Sequence, residues 1–128
     1  MPSGSGSEAM GADLFDRLAI RDLVERYAAL VDERRPEDAA ALFVEDGELL
    51  VPAPPRHLGP TVPHRGRAEV AAAMAALGAF TATFHAVHGA VVDLDAGADE
   101  ATGRVTCTAH HLSAGDLGAG GEIGRAHV

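Results

Sequence analysis

Apolar residues recur at helical spacing along the first third of the chain. Leu14, Leu18, Leu23, Val24, Tyr27, Leu30 and Val31 form one stripe, which predicts an amphipathic helix from about Asp13 to Val31. Asp13 suits its N-cap, and Asp16 adds negative charge to its electropositive first turn. A second helix fits RPEDAAALF, with Pro36 at a first-turn position and Glu37 and Asp38 beside it. DGELLVP reads as a turn and a short strand. Residues 52–63 carry five of the seven prolines, which predicts an irregular loop. GRAEVAAAMAALG predicts a third helix, with Gly78 suited to its C-terminal cap.

The pattern then changes period. FTATFHAVHGAVVDLD is rich in Thr, Val and Phe, and Gly89 suits a bulge. A polar turn around AGADE leads to ATGRVTCTAHHL, its expected antiparallel partner. Helices first and a hairpin later predict an α+β domain, with helices packed on one face of a curved sheet.

Alternation on the second strand separates its two histidines. Val105, Cys107, Ala109 and His111 share one face, and Arg104, Thr106, Thr108 and His110 share the other. The first set is apolar until its last member, so His111 is expected inside and His110 outside. A buried imidazole needs a hydrogen-bonding partner, and a satisfied core histidine would meet that need as well as a functional one. On the first strand His85 and His88 have opposite parity. Either could share a face with His111, depending on register and on the bulge. Asp32 closes the first helix on or near its apolar stripe, where the helix dipole disfavours a carboxylate and a histidinium would suit it. An exposed position in DERRPED is the plainer alternative.

Composition narrows the classes. The chain has 128 residues, enough for one domain, with 47% hydrophobic and 4% aromatic residues and no Trp. Its core is therefore expected to be mostly Ala, Val and Leu, thin enough for a partner subunit to help cover it. The net charge is −9 with no basic stripe, which argues against nucleic acid and anionic membrane surfaces. All ten basic residues are Arg, which with the Ala and Gly richness points to a GC-rich, bacterial genome. One cysteine, Cys107, excludes an internal disulfide or a zinc site built on several cysteines. HAVH spacing suits metal binding on a helix but diverges on a strand, so no metal is expected. No phosphate loop, dinucleotide fingerprint or nucleophile elbow is present. No run reaches transmembrane length, and MPSGSGSEAMGA lacks a signal peptide's pattern, so a cytoplasmic location is the expectation.

Both ends are expected to be irregular. Residues 1–12 read as a disordered tail. After Ser113 no helix or strand pattern continues, and the final IGRAHV also matches one translation frame of a common sequencing-adapter oligonucleotide. Residues 118–128 are therefore expected to be a non-native or disordered tail, with Arg125 and His127 carrying no chemistry.

Together, IRDLVERYAALVDERRPEDAAALFVEDGELLV, HRGRAEVAAAM, FTATFHAVHGAVVDLD and ATGRVTCTAHHL resemble the SnoaL-like branch of the NTF2-like superfamily over about residues 13–117. The resemblance implies three helices packed on a curved, mostly antiparallel sheet that commonly dimerises, here C-terminally truncated with the last strand or strands missing. It implies a homodimer through the sheet when full length. Within the superfamily the nearest pattern is that of scytalone dehydratase, whose helix-end Asp and two strand histidines match Asp32, His85 and His111. Two tyrosines of that pattern are missing: Val31 stands at one position, and Leu50 or Val51 near the other. The implied pocket would be lined by Tyr27, Val31, Leu50, Phe84 and Cys107 and would take a small hydrophobic molecule. The expected activity is cofactor-independent proton transfer, of lyase, isomerase or cyclase type, on an oxygenated ring compound. Histidine suits this work because its ordinary pKa, about 6.5, lies near neutral pH. A noncatalytic ligand-binding or subunit-association domain is the alternative, since the superfamily holds both kinds.

Overall fold

Three helices pack against antiparallel sheet in the computed structural model, which describes residues 5–53, 57–95, 99–113 and 122–127. Helix α1 spans Ser5–Asp32, α2 spans Pro36–Ala40 and α3 spans Gly66–Ala75, followed by a 3₁₀ turn over Ala76–Ala79. Strands β1 (Glu48–Ala53) and β2 (His57–Arg65) form one hairpin. Strands β3 (Ala82–Leu94), β4 (Ala101–Leu112) and β5 (Glu122–His127) form a second sheet in that order. Every pairing is antiparallel, and the domain is α+β.

Helix α1 begins at Ser5, well before the Asp13 start that the apolar stripe implies. Glu8 favours its first turn, and Met10 is a good helix former. Asp13 is therefore no cap; its carboxylate pairs with Arg17 Nε at 2.9 Å on the helix surface. Residues 1–4 of the expected tail lie outside the described residues. The helix runs along β3, with Arg17 Nη1 donating to the Val92 carbonyl at 2.7 Å and Asp32 meeting Thr83 and His85. Because β3 ends at Leu94, the helix before Arg17 overhangs the strand, and Leu14 is 59% exposed there. Leu18, just past Arg17, is still 53% exposed, and the stripe turns into core only toward Ala28 and Val31.

The helix ends in a Schellman arrangement. Arg35 N–H bonds to the Leu30 carbonyl at 3.0 Å, and Arg34 N–H bonds to the Val31 carbonyl at 3.2 Å. Arg34 has φ 61°, a left-handed conformation that costs a side chain with a Cβ about 1–2 kcal/mol. Gly78 does not cap α3. It lies within the 3₁₀ turn, which runs directly into extended backbone at Phe80.

The proline-rich stretch is a hairpin rather than an irregular loop. Proline is excluded from central strands because it cannot donate to the ladder, but each strand of a two-stranded ribbon has an open edge. Register irregularities at Val51/Pro52 and Pro52/Ala53 absorb the rest. Residues 54–56 of the expected loop lie outside the described residues.

The central hairpin runs from Ala82↔Leu112 to Leu94↔Ala101, with one irregularity between Val87 and Gly89. His88 is the extra residue there. It shifts the alternation by one, so Thr83, His85 and Val87 face the helices together with Ala90 and Val92. Beyond β4, the backbone of Glu122–His127 pairs from Thr106↔His127 to His111↔Glu122. A strand thus stands inside the segment expected to be irregular, because the free edge of β4 offers a ready template for extended chain. Residues 114–121 and 128 of that segment lie outside the described residues, as do the side chains of Arg125 and His127. Among the described residues the buried apolar side chains are Ala, Val and Cys107, without the leucines that composition led one to expect, and Val70 is the largest that is fully buried.

Candidate active site

Asp32 is the last residue of α1 and follows directly on buried Val31. Its carboxylate sits at the negative end of the helix dipole, which disfavours it, so donors must come from elsewhere. They come from β3. That strand is an edge of its sheet, so alternate N–H groups point away from β4. The His85 N–H is one of them and donates to Asp32 Oδ2 at 2.8 Å. Thr83 Oγ1 donates to Asp32 Oδ1 at 3.1 Å, and His85 Nδ1 lies 2.6 Å from the same oxygen. The two side chains of this pair are only 19% and 17% exposed. A carboxylate can only accept, so Nδ1 carries a proton. In the neutral ring Nε2 is then the basic nitrogen.

The bulge decides which first-strand histidine joins His111. His85 and His111 share the inner face, with ring centroids 6.0 Å apart in an edge-on arrangement. His111 stands directly opposite Thr83 in the ladder. Its other face is stacked on Phe80, with centroids 4.6 Å apart and planes inclined by 25°. His110 is exposed and tilts against Phe84, and His88 Nε2 meets Thr108 Oγ1 at 2.6 Å on the outer side. Asp32, His85 and His111 are therefore brought together, and His88 and His110 are not.

The residues expected to line the site divide. Tyr27 and Cys107 belong to it electrostatically. Burial pushes the Tyr27 phenol up to about 12, with the Cys107 thiol as a further cause. Burial also raises the Cys107 thiol, helped by the negative charge of Asp32. The Tyr27 hydroxyl donates to Met74 Sδ at 3.4 Å, and its ring meets Phe43 edge-on at 6.1 Å. Val31 is buried core. Phe84 is misplaced by the sequence reading. It has the opposite parity to His85, is 60% exposed and lies on the outer face. Leu50 is 45% exposed on the separate hairpin. Thr83 and Phe80 were missed. Thr83 could have been found as the residue two before His85 on the same strand face; nothing in the sequence marks Phe80. Among the described residues no group of three or more His, Cys, Asp or Glu is placed to hold a metal ion.

The profile of the SnoaL-like domain matches residues 12–126. The chain belongs to this SnoaL-like family. Its fold is that of the NTF2-like proteins. A provisionally named scytalone dehydratase from Novosphingobium aromaticivorans superposes with a TM-score of 0.76 at 24% identity, covering 92% of this chain and 73% of that one. An NTF2-like protein with a cystatin-like fold from the same organism gives 0.72 at 29%, covering 98% and 74%. A protein from Kribbella flavida gives 0.67 at 30%, covering 90% and 76%. No curated protein matches the chain.

Proposed function

We propose that this SnoaL-like protein is a cofactor-independent enzyme that moves a proton on a small, hydrophobic, oxygenated ring compound. The Asp32–His85 pair, 2.6 Å apart with His111 alongside, carries the reading. Asp32 holds the His85 proton on Nδ1, and Nε2 takes a proton from a carbon next to a carbonyl. The C–H electron pair becomes an enolate, whose charge moves to oxygen. His111 donates to that oxygen, and Asp32 balances the imidazolium. A positioned acid or base of this kind is worth about 10²–10⁴ in rate. Tyr27 is a second donor for a ligand oxygen. Its phenol stays protonated, and a thioether such as Met74 Sδ is a weak acceptor that a carbonyl would displace. It stands in for hydroxyls that the scytalone dehydratase pattern has at Val31 and near Leu50.

A second reading, association without catalysis, has support on the outer face of β3. Phe84 and Val91 are 60% and 54% exposed there, which favours a homodimer through the sheet in either case. The proposed place of work is the cytoplasm, where a lone thiol such as Cys107 stays reduced. No described helix is long and apolar enough to cross a membrane.

The test is deuterium exchange. The purified chain is incubated in D₂O with a panel of cyclic enones and hydroxyketones, and label at the carbon next to the carbonyl is read by mass spectrometry. The proposal expects exchange that falls at least a hundredfold in His111→Ala and Asp32→Asn. Equal exchange by the protein and both variants overturns it.

A further inference from the structure

A left-handed residue closing a Schellman turn is ordinarily glycine, and Arg34 is the non-glycine residue with positive φ among those described. Its backbone gains nothing from being arginine. Its side chain makes two contacts that glycine could not. Arg34 Nη1 donates to the Leu77 carbonyl, and Nη2 donates to the Phe80 carbonyl at 2.8 Å. Both acceptors belong to the 3₁₀ turn and its exit, and the Leu77 carbonyl accepts the Phe80 N–H as well, at 3.1 Å. The planar guanidinium fork spans the two at once, which a lysine ammonium does not do.

The gripped segment leads into the candidate site. The Phe80 ring is stacked on His111 at 4.6 Å, and the next residue, Thr81, donates its N–H to the Leu112 carbonyl at 2.7 Å. Arg34 itself lies two residues beyond Asp32. One side chain therefore links the helix end that carries Asp32 to the segment that covers His111.

We propose that Arg34 is a positioning residue: it holds Phe80 against His111 and so sets His111 relative to the Asp32–His85 pair. The proposal rests on the proton-transfer reading for its consequence, but not for its geometry. Arg34→Gly is the informative variant, because it relaxes the backbone and removes only the clamp. Arg34→Lys keeps the charge without the fork, and Arg34→Gln keeps the stem if the glycine variant fails to fold. A stacked phenylalanine displaces the carbon-bound proton resonances of the His111 ring through its ring current, and Phe80→Ala calibrates that displacement. In Arg34→Gly the His111 resonances are expected to move most of the way to their Phe80→Ala positions, with Arg34→Lys and Arg34→Gln between. Those of exposed His88 stay put. Carbon-bound deuterium exchange should fall about tenfold or more through kcat, with KM little changed. His111 resonances that stay at wild-type positions in a folded Arg34→Gly or Arg34→Gln protein overturn the proposal. If those resonances move while the wild-type protein exchanges no substrate proton, the clamp stands and the proton-transfer reading fails.

Discussion

Replacing Asp32 by asparagine separates its charge from its hydrogen bonding. The carboxylate accepts from Thr83 Oγ1, the His85 N–H and His85 Nδ1, at 3.1, 2.8 and 2.6 Å. Asparagine has the same outline. Its oxygen can take the His85 N–H, leaving its two amide hydrogens facing Thr83 Oγ1 and His85 Nδ1. The threonine hydroxyl turns and accepts one. His85 Nδ1 can accept the other only by giving up its own proton to Nε2. All three contacts survive, so the loss is the surplus strength of charged over neutral bonds, about 1–2 kcal/mol. The basic nitrogen is lost with the tautomer, and the proposed exchange activity with it. Asp32→Ala behaves differently. It leaves three donors without an acceptor, at about 1–3 kcal/mol each where water is excluded. With the pair 17–19% exposed, about 3–5 kcal/mol in total is a discounted figure. At about 4 °C per kcal/mol for a chain of this size, Tm falls by roughly 12–20 °C for alanine and by about 8 °C or less for asparagine. Calorimetry reads the stabilities, and long-range proton–nitrogen correlation spectra read the tautomer. A proton still on His85 Nδ1 in Asp32→Asn, or equal stability of the two variants, refutes the reasoning.

Val70 is the largest fully buried side chain among the described residues, so Val70→Ala is expected to lose about 2–3 kcal/mol in urea unfolding with the slope unchanged. Tyr27 is the sole tyrosine, so absorbance titration reads it alone, and its midpoint should lie near 12. The folded value is raised above the ordinary 10, so its contribution to stability is complete below pH 10 and is lost as pH rises toward 12. At about 1.4 kcal/mol per pH unit this amounts to about 3 kcal/mol, and Tyr27→Phe should remove that component of the alkaline decline. Phe84→Glu places a charge on the outer sheet face and should shift a dimer toward monomer in light scattering; an unchanged mass would remove that face from the interface.

What could be read from the chain, and what could not, follows from the range of the forces involved. The β4 limits and the inward turn of His111 were legible because alternation is a local signal. The choice between His85 and His88 was not. It depends on one unpaired residue, and both faces of the strand carry apolar side chains. The same ambiguity put Phe84 in the site beside His85, although neighbours on a strand cannot share a face. Leu14 and Leu18 looked like core because helical spacing says which side a residue is on, not whether anything packs over it. The hairpin at 48–65 was hidden because proline forbids a central strand but not an open-edged ribbon. Arg34 gave no sign at all: glycine is the usual signal for a left-handed helix end, and its absence concealed the turn.

The bulge at His88 has a consequence on the scale of the gene. On one side of it Thr83 and His85 face the helices, and on the other Ala90 and Val92 do. His88 has no counterpart on β4, so an in-frame loss of its codon would set Gly89 directly after Val87 and opposite Thr106, and Thr83, His85, Ala90 and Val92 would still alternate inward. One codon added elsewhere in the strand is different: without a second bulge it turns either the histidine or the valine to the solvent. Length on this strand is therefore constrained in one direction: His88 can be lost more safely than another residue can be gained.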